Sequence, residues 1–341
     1  MMMSKIRIAV TGLGNMGERL VYTWLPRYAQ QAEVVAVCDA DGDKRSRAVA
    51  ETGAREYEAA EYIRMLDEIK PDLVYIAVPP AFHYDAALAA FERGIAVFCE
   101  KPLANSLDEA RALLECASES GKLHAVHFSF PQEPAVLQVG KWVKEGKIGE
   151  IRELELLLHF PQWPRAWQQN SWISTRHQGG FILEVGVHWV HMIQQIFGEI
   201  THVQSHVIYP DDPQQCEQEV KATLTLDNGL RIRLSGHSGQ AEQERVSLLV
   251  HGEQGDIALE NWQQLYWNEV GQEPQSVEPS IPAEDSRLPI FGQVVNLLQG
   301  QPGQIYNFYD GYHAQVVLEA LRHPSSEGEV DVRPLYIQRE Q

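Results

Sequence analysis

Short, almost uninterrupted apolar runs alternate with amphipathic stretches through the first third of the chain. Ile6–Val10, Val34–Cys38, Leu73–Val78 and Ala96–Cys99 are rich in β-branched residues and show little polar alternation. Strands buried on both faces read this way. Helical spacing separates them, over Met16–Tyr28, Lys44–Glu51, Tyr84–Arg93 and Leu107–Ser120. Strand and helix in regular alternation predict an α/β doubly wound parallel sheet. The pattern changes after residue 128: Ala135–Glu145 reads as a helix ending in the turn Gly146–Gly149. Alternating runs then follow at Ile151–Phe160, His202–Tyr209, Val220–Leu226, Leu230–Gly236, Val246–His251 and Asp256–Leu259, with the hairpin signal Asp227-Asn228-Gly229. Consecutive strands without intervening helices predict a mostly antiparallel open sheet. One face could cover a helix around residues 181–197, and the other could pair with a second subunit. Gly271–Pro289 reads as a loop, and helical patterns close the chain at Phe291–Leu298 and Gly311–Arg322. The expected division is a first domain over residues 1–128 and an α+β domain over 129–341, whose last helix packs back towards the first.

Charge narrows the partners. The chain has 28 basic and 47 acidic side chains, a formal charge of −19. Such a surface repels phosphate backbones and anionic membranes, so neither nucleic acid nor membrane is expected as a partner. No window approaches the roughly 18 apolar residues of a membrane span. The four cysteines (Cys38, Cys99, Cys116, Cys216) form no CxxC pair. Two lie in buried-strand runs, so disulfides and zinc are poor readings and a reducing cytoplasmic location is expected. The N-terminus enters its first strand without a leader-like pattern.

Gly12-Leu13-Gly14-Asn15-Met16-Gly17 fits GxGxxG and falls directly between a strand and a helix. This is the dinucleotide-binding Rossmann fingerprint. Gly12 allows the tight turn, Gly14 lets the backbone approach a pyrophosphate, and Gly17 permits close helix packing. Asn15 and Met16 open the helix whose free N–H groups would receive the anion. Asp39 ends the second strand, where a carboxylate can accept hydrogen bonds from the adenosine ribose. It also repels a 2′-phosphate, which favours NAD. Arg45 and Arg47 lie near enough to leave NADP open, although solvated helix charges are the plainer account of them.

Pro79-Pro80-Ala81-Phe82-His83, then Val97-Phe98-Cys99-Glu100-Lys101-Pro102, and later Gly179-Gly180-Phe181-Ile182-Leu183-Glu184-Val185-Gly186-Val187-His188 make a family recognisable. Together they resemble the Gfo/Idh/MocA oxidoreductases over nearly the whole chain. The resemblance implies NAD(P)-dependent hydride transfer to or from a secondary hydroxyl of a sugar, sugar derivative or cyclitol. It places Glu100-Lys101-Pro102 beside the nicotinamide, often with a cis bond before the proline. Lys101 would then stabilise charge on the reacting oxygen and relay its proton. Pro79 is expected on the cofactor side, and His83 either lines the cofactor or serves structure. His188 is the implied acid–base group, a role that an imidazole's titration range suits. A homodimer or homotetramer through the second-domain sheet is also implied.

The sequence departs from the family pattern where aspartates are usual, with Glu184 four residues before His188 and His191 three after it. In a helix these positions share one face, so Glu184, His188 and His191 could converge on substrate. No metal is expected, because Gly186 disturbs the helix and no other ligand cluster is evident. The Asn or Arg often found near Phe128-Ser129-Phe130-Pro131 is missing. Trp163, Trp167 and Trp172 crowd the stretch before Gly179-Gly180, with Arg165 and Arg176 among them. Trp172 could stack on a sugar face and Arg176 could clamp an anion, but packing of the loop explains the group equally well. Two other functions remain open: a non-catalytic NAD(P)-binding sensor, and redox-assisted glycoside cleavage or epimerisation with tightly held NAD. A reductase of a tetrapyrrole or other ketone is weaker, with no residues to support it.

Overall fold

Six parallel strands form the sheet of the first unit: β1 (Ile6–Thr11), β2 (Ala32–Asp39), β3 (Arg55–Glu58), β4 (Leu73–Ile76), β5 (Ala96–Cys99) and β6 (His124–Val126). Their spatial order is β3-β2-β1-β4-β5-β6. Order reverses between β1 and β4, which opens a crevice at the carboxyl ends of the strands. The computed structural model describes residues 4–168, 170–281 and 289–337. The chain divides into two compact units, Met1–Phe128 with Leu288–Tyr312, and Ser129–Arg287 with His313–Gln341.

The central strands β1, β4 and β5 are almost wholly buried, which explains their unbroken apolar runs. Helix Ile290–Leu298 belongs to this unit and sends Ile290, Phe291, Val294 and Val295 into its core. The helix expected over Met16–Tyr28 is instead three pieces: α over Asn15–Arg19, π over Leu20–Trp24 and 3-10 over Leu25–Tyr28. Pro26 has no N–H to continue an α ladder, so the last turn must change. The helix expected over Lys44–Glu51 runs Gly42–Thr52, because Asp41 caps it by accepting from the Asp43 and Lys44 N–H groups at 3.0 and 3.2 Å. Strands β3 and β6 and helix Tyr62–Ile69 have no counterpart in the expected elements.

The second unit holds nine strands: β7 (Ile151–Phe160), β8 (Ile200–Ile208), β9 (Glu219–Leu226), β10 (Arg231–Ser238), β11 (Arg245–Gly252), β12 (Gly255–Glu260), β13 (Gln264–Glu269), β14 (Gln275–Val277) and β15 (Val330–Asp331). Their order is β14-β13-β12-β11-β7-β10-β9-β8-β15. Among the described residues the β7–β10 pairing is parallel and the others are antiparallel. Leu154, Leu156, Leu158 and Phe160 form the buried side of β7, while Glu153, Glu155 and His159 alternate on the other. Gly236 leaves room for Phe181: a Cβ there would come within 2.7 Å of the ring. The Asp227-Asn228-Gly229 turn joins β9 to β10, with Gly229 at φ +84°. The expected loop over Gly271–Pro289 contains the short edge strand β14, and residues 282–288 lie outside the described residues. Among the described residues no helix is long and apolar enough to cross a membrane.

Candidate active site

Each glycine of the first βα turn meets a different steric demand. Gly12 has φ +86°, and a Cβ there would lie 2.4 Å from the Ala77 carbonyl oxygen. A Cβ on Gly17 would fall 1.9 Å from the Gly12 carbonyl oxygen, so only glycine lets the helix start this close to the strand. Gly14 differs: a Cβ built on it meets nothing within 4 Å. It is the N-cap of helix Asn15–Arg19, and no side chain caps that end. The combination leaves open space in front of helix N–H groups, which is the cradle an anion needs.

Asp39 stiffens this loop. Its Oδ2 accepts the Leu13 N–H at 2.5 Å and its Oδ1 accepts the Asp41 N–H at 2.8 Å. The carboxylate therefore locks the loop, and its remaining lone pairs are what a ribose hydroxyl would use. Arg45 donates to the Asp39 carbonyl at 2.7 Å and lies 3.4 Å from Glu56. Arg47 pairs with Glu18 at 3.4 Å and lies over Tyr22. Both guanidinium groups are thus already engaged by this unit's own groups.

The end of β5 is held from behind. Glu100 is buried, and its Oε1 accepts from the Tyr75 hydroxyl and from His127 Nδ1 at 2.8 Å. Trp24 lies edge-on to both partners, at 6.1 Å from Tyr75 and 4.8 Å from His127. Burial alone would raise the Glu100 carboxyl pKa, but His127, Tyr75 and Lys101 outweigh it and hold it below the usual range. The carboxylate is therefore an internal anchor for Lys101, the next residue, which is partly exposed. The Lys101–Pro102 peptide is cis. His83 is fully buried, with Nδ1 2.9 Å from the Pro102 carbonyl and Nε2 2.9 Å from the Val78 carbonyl. Burial keeps its pKa low in spite of those carbonyls. The ring thus ties the turn after β4, where Pro79 lies, to the turn after β5. Sequence reasoning missed Tyr75 and His127, which carry no motif.

In the second unit a π turn, Ile182–Gly186, runs directly into helix Val187–Phe197. Wide turns of this kind occur frequently at functional sites. From Phe181 to Ile193 every residue is buried except Glu184 and His188, which are partly exposed. Its start is held by a carboxylate the motif does not announce. Glu217 is 2% exposed and accepts the Ile182 N–H at 2.7 Å, with the Phe181 N–H also bound to it. The glycine pair makes room for this: Gly180 has φ +95°, and a Cβ there would sit 2.2 Å from a Glu217 oxygen. A Cβ on Gly179 would lie 2.3 Å from the Ile173 carbonyl oxygen. Burial pushes the Glu217 carboxyl pKa up, against the backbone N–H groups and Arg322.

The other expected residues are placed as follows. His191 is only 1% exposed, and burial drives its pKa down to about 3, so its ring stays neutral. It does not share the partial exposure of Glu184 and His188. The Arg176 guanidinium donates to the Gln215 carbonyl at 3.1 Å and the Pro210 carbonyl at 3.3 Å, over the Tyr209 ring. Trp172 is half-buried and its carbonyl accepts from Thr175. Trp163 donates to the Ile173 carbonyl and packs on Phe160 and Phe181, whereas Trp167 stays 64% exposed. Among the described residues no group of three or more His, Cys, Asp or Glu could hold a metal ion.

The family model for "Oxidoreductase family, NAD-binding Rossmann fold" matches residues 6–128, and the GFO/IDH/MocA C-terminal domain matches residues 136–258. A D-glucoside 3-dehydrogenase of Escherichia coli is 24% identical, over 95% of this chain and 97% of its own. A scyllo-inositol 2-dehydrogenase (NAD(+)) of Bacillus subtilis is 26% identical, over 74% of this chain and 71% of its own. The WlbA dehydrogenase of Bordetella pertussis, solved with NADH and UDP-GlcNAcA, shares the fold with a TM-score of 0.80 at 18% identity. That likeness covers 96% of this chain and 97% of the other. The chain belongs to the Gfo/Idh/MocA family and is an oxidoreductase with an NAD-binding Rossmann domain.

Proposed function

We propose that the chain moves hydride between nicotinamide and a secondary hydroxyl or ketone of a sugar, sugar derivative or cyclitol. The observation that carries the reading is the helix start at Phe181, which buries all its neighbours and leaves Glu184 and His188 within reach of solvent. The sugar and inositol dehydrogenases among its relatives support the substrate class.

In the oxidative direction His188 accepts the hydroxyl proton as a neutral imidazole. For Lys101 the family resemblance implies a charge-stabilising role towards the reacting oxygen. Glu184, one helical turn before His188, orients that ring or accepts from a neighbouring hydroxyl. Bound NAD supplies the hydride acceptor at its nicotinamide ring. Gly12, Gly14, Asn15, Met16 and Gly17 would hold its pyrophosphate, and Asp39 its ribose. His83 and Glu100 act from behind, fixing the turns that carry Pro79 and Lys101. With Arg45 and Arg47 held by acids, NAD is preferred to NADP. A homodimer or homotetramer would form through the second-unit sheet, and the four unpaired thiols suit the cytoplasm.

The test is absorbance at 340 nm with a panel of sugars, sugar acids and inositols, each with NAD and NADP. Wild type should reduce NAD with a particular polyol, and Lys101→Ala and His188→Ala should each slow turnover by about 10² to 10⁴. No turnover across the panel, from protein that binds NADH, would move weight to the sensor. Product without net reduction would favour transient use of the cofactor.

A further inference from the structure

The hairpin between β12 and β13 turns through Asn261 and Trp262, with φ +47° and +76°. The Gln263 N–H reaches back to the Glu260 carbonyl at 3.3 Å, so these two residues are the centre of the turn. Positive φ at both central positions asks for Asn or Asp followed by Gly. Asn261 obeys, and it is fixed by its N–H to the Val246 carbonyl at 2.7 Å and by its Oδ1 accepting from the Val246 N–H at 3.3 Å. Trp262 breaks the rule. A bulky side chain in the left-handed region is a strained outlier that persists only when its surroundings hold it there. Those surroundings are aromatic, and they include His188. The Trp262 ring lies 5.6 Å from the His188 ring at 82°, 5.6 Å from Trp189 and 5.1 Å from Phe130. A glycine would suit the turn better and would leave that side of the imidazole without a wall.

We infer that Trp262 is a positioning residue, held in a strained turn so that its ring fixes the orientation of His188 and keeps water from one side of it. This rests on the reading of His188 as the acid–base group. The indole does not exchange a proton with substrate. It narrows the rotations open to the imidazole, so the ring nitrogen that receives the proton keeps its aim.

The experiment compares Trp262→Gly and Trp262→Phe in the full chain, alone and combined with His188→Ala. The readouts are turnover on the polyol that supports NAD reduction and the ¹⁵N shifts of the His188 ring. Trp262→Gly should lower kcat about tenfold or more with KM little changed. It should also move the His188 ring nitrogens towards averaged values, while Trp262→Phe retains most activity. Combined with His188→Ala, it should add nothing, since the two residues act as one unit. Unchanged His188 shifts, or an added loss in the His188→Ala background, would overturn the inference. Should Trp262→Gly fail to fold, Trp262→Leu keeps apolar bulk without a ring and carries the same test. His188→Ala at wild-type rate would instead remove the reading of His188 itself.

Discussion

Two helical segments in this chain follow glycines, contain a π turn and carry family motifs, yet their amino ends are treated in opposite ways. The end at Gly14 is left open, with no side-chain cap and nothing within 4 Å of where a Cβ would stand. Glu217 fills the end at Phe181, packed so closely that Gly180 cannot carry a side chain. An uncapped helix start invites an anion, because its N–H groups and the helix dipole both favour negative charge. A start already occupied by a carboxylate repels one and gains rigidity instead. The same local device thus yields a ligand seat in one unit and a fixed support for Glu184 and His188 in the other. Glycine content alone does not distinguish them; what the glycine faces does.

The sharpest way to break this contrast is at Gly180. Gly180→Ala demands an L side chain at φ +95° and drives it into the Glu217 oxygens. Both effects act on the folded state, and the expected loss is about 3 kcal/mol, or about 10 °C in Tm. Thermal unfolding checks it. A variant as stable as wild type would mean that the Glu217 carboxylate can leave, and that this end is not filled.

The helix that follows the closed end also has a pH signature. His191 titrates at about 3 in the folded chain because it is buried, against about 6.5 when exposed. Below pH 6.5 the unfolded chain takes up a proton that the folded chain refuses, so stability falls as pH drops. The slope from this group is about 1.4 kcal/mol per pH unit, or about 2 kcal/mol by pH 5. It ends near pH 3, where the folded ring protonates too. His191→Gln should flatten the dependence of stability on pH by one proton between pH 6 and 4 relative to wild type, as measured by urea unfolding. Equal slopes would mean that water reaches the ring.

The parts of the fold legible from sequence are those in which burial is two-sided or geometry is local. Strands β1, β4 and β5 announce themselves because almost every residue is buried. Strand β3 does not: it is an edge, and only Tyr57 of Arg55–Glu58 is buried. Strand β14 does not either: it is the other sheet's edge, and none of Gln275–Val277 is buried. The GxGxxG turn is legible because its three glycines answer to constraints a few residues away. Glu217 is not, since the Ile182 N–H it holds lies 35 residues earlier in the chain. Trp262 is hidden differently, because sequence reports the residue but not the sign of its φ. The reach of Tyr75 and His127 to Glu100 depends on β4, β5 and β6 lying side by side.

The smallest expected effect on stability falls at Gly14, and it separates the two ends most cleanly. Its φ of −72° is open to any residue, and a methyl there meets no protein atom within 4 Å. Gly14→Ala should therefore cost only about 0.5 kcal/mol, the usual difference between glycine and alanine at an N-cap. The methyl would nevertheless occupy the space through which a pyrophosphate approaches the helix. NADH affinity should fall at least about tenfold, which is 1.4 kcal/mol of binding free energy, in a calorimetric or fluorescence titration. Lost affinity with stability kept is the signature of an open end, as lost stability at Gly180 is of a filled one. Were Gly14→Ala to bind NADH as tightly as wild type, the open helix start would not be the anion seat. The difference between the two glycine turns would then reflect packing alone.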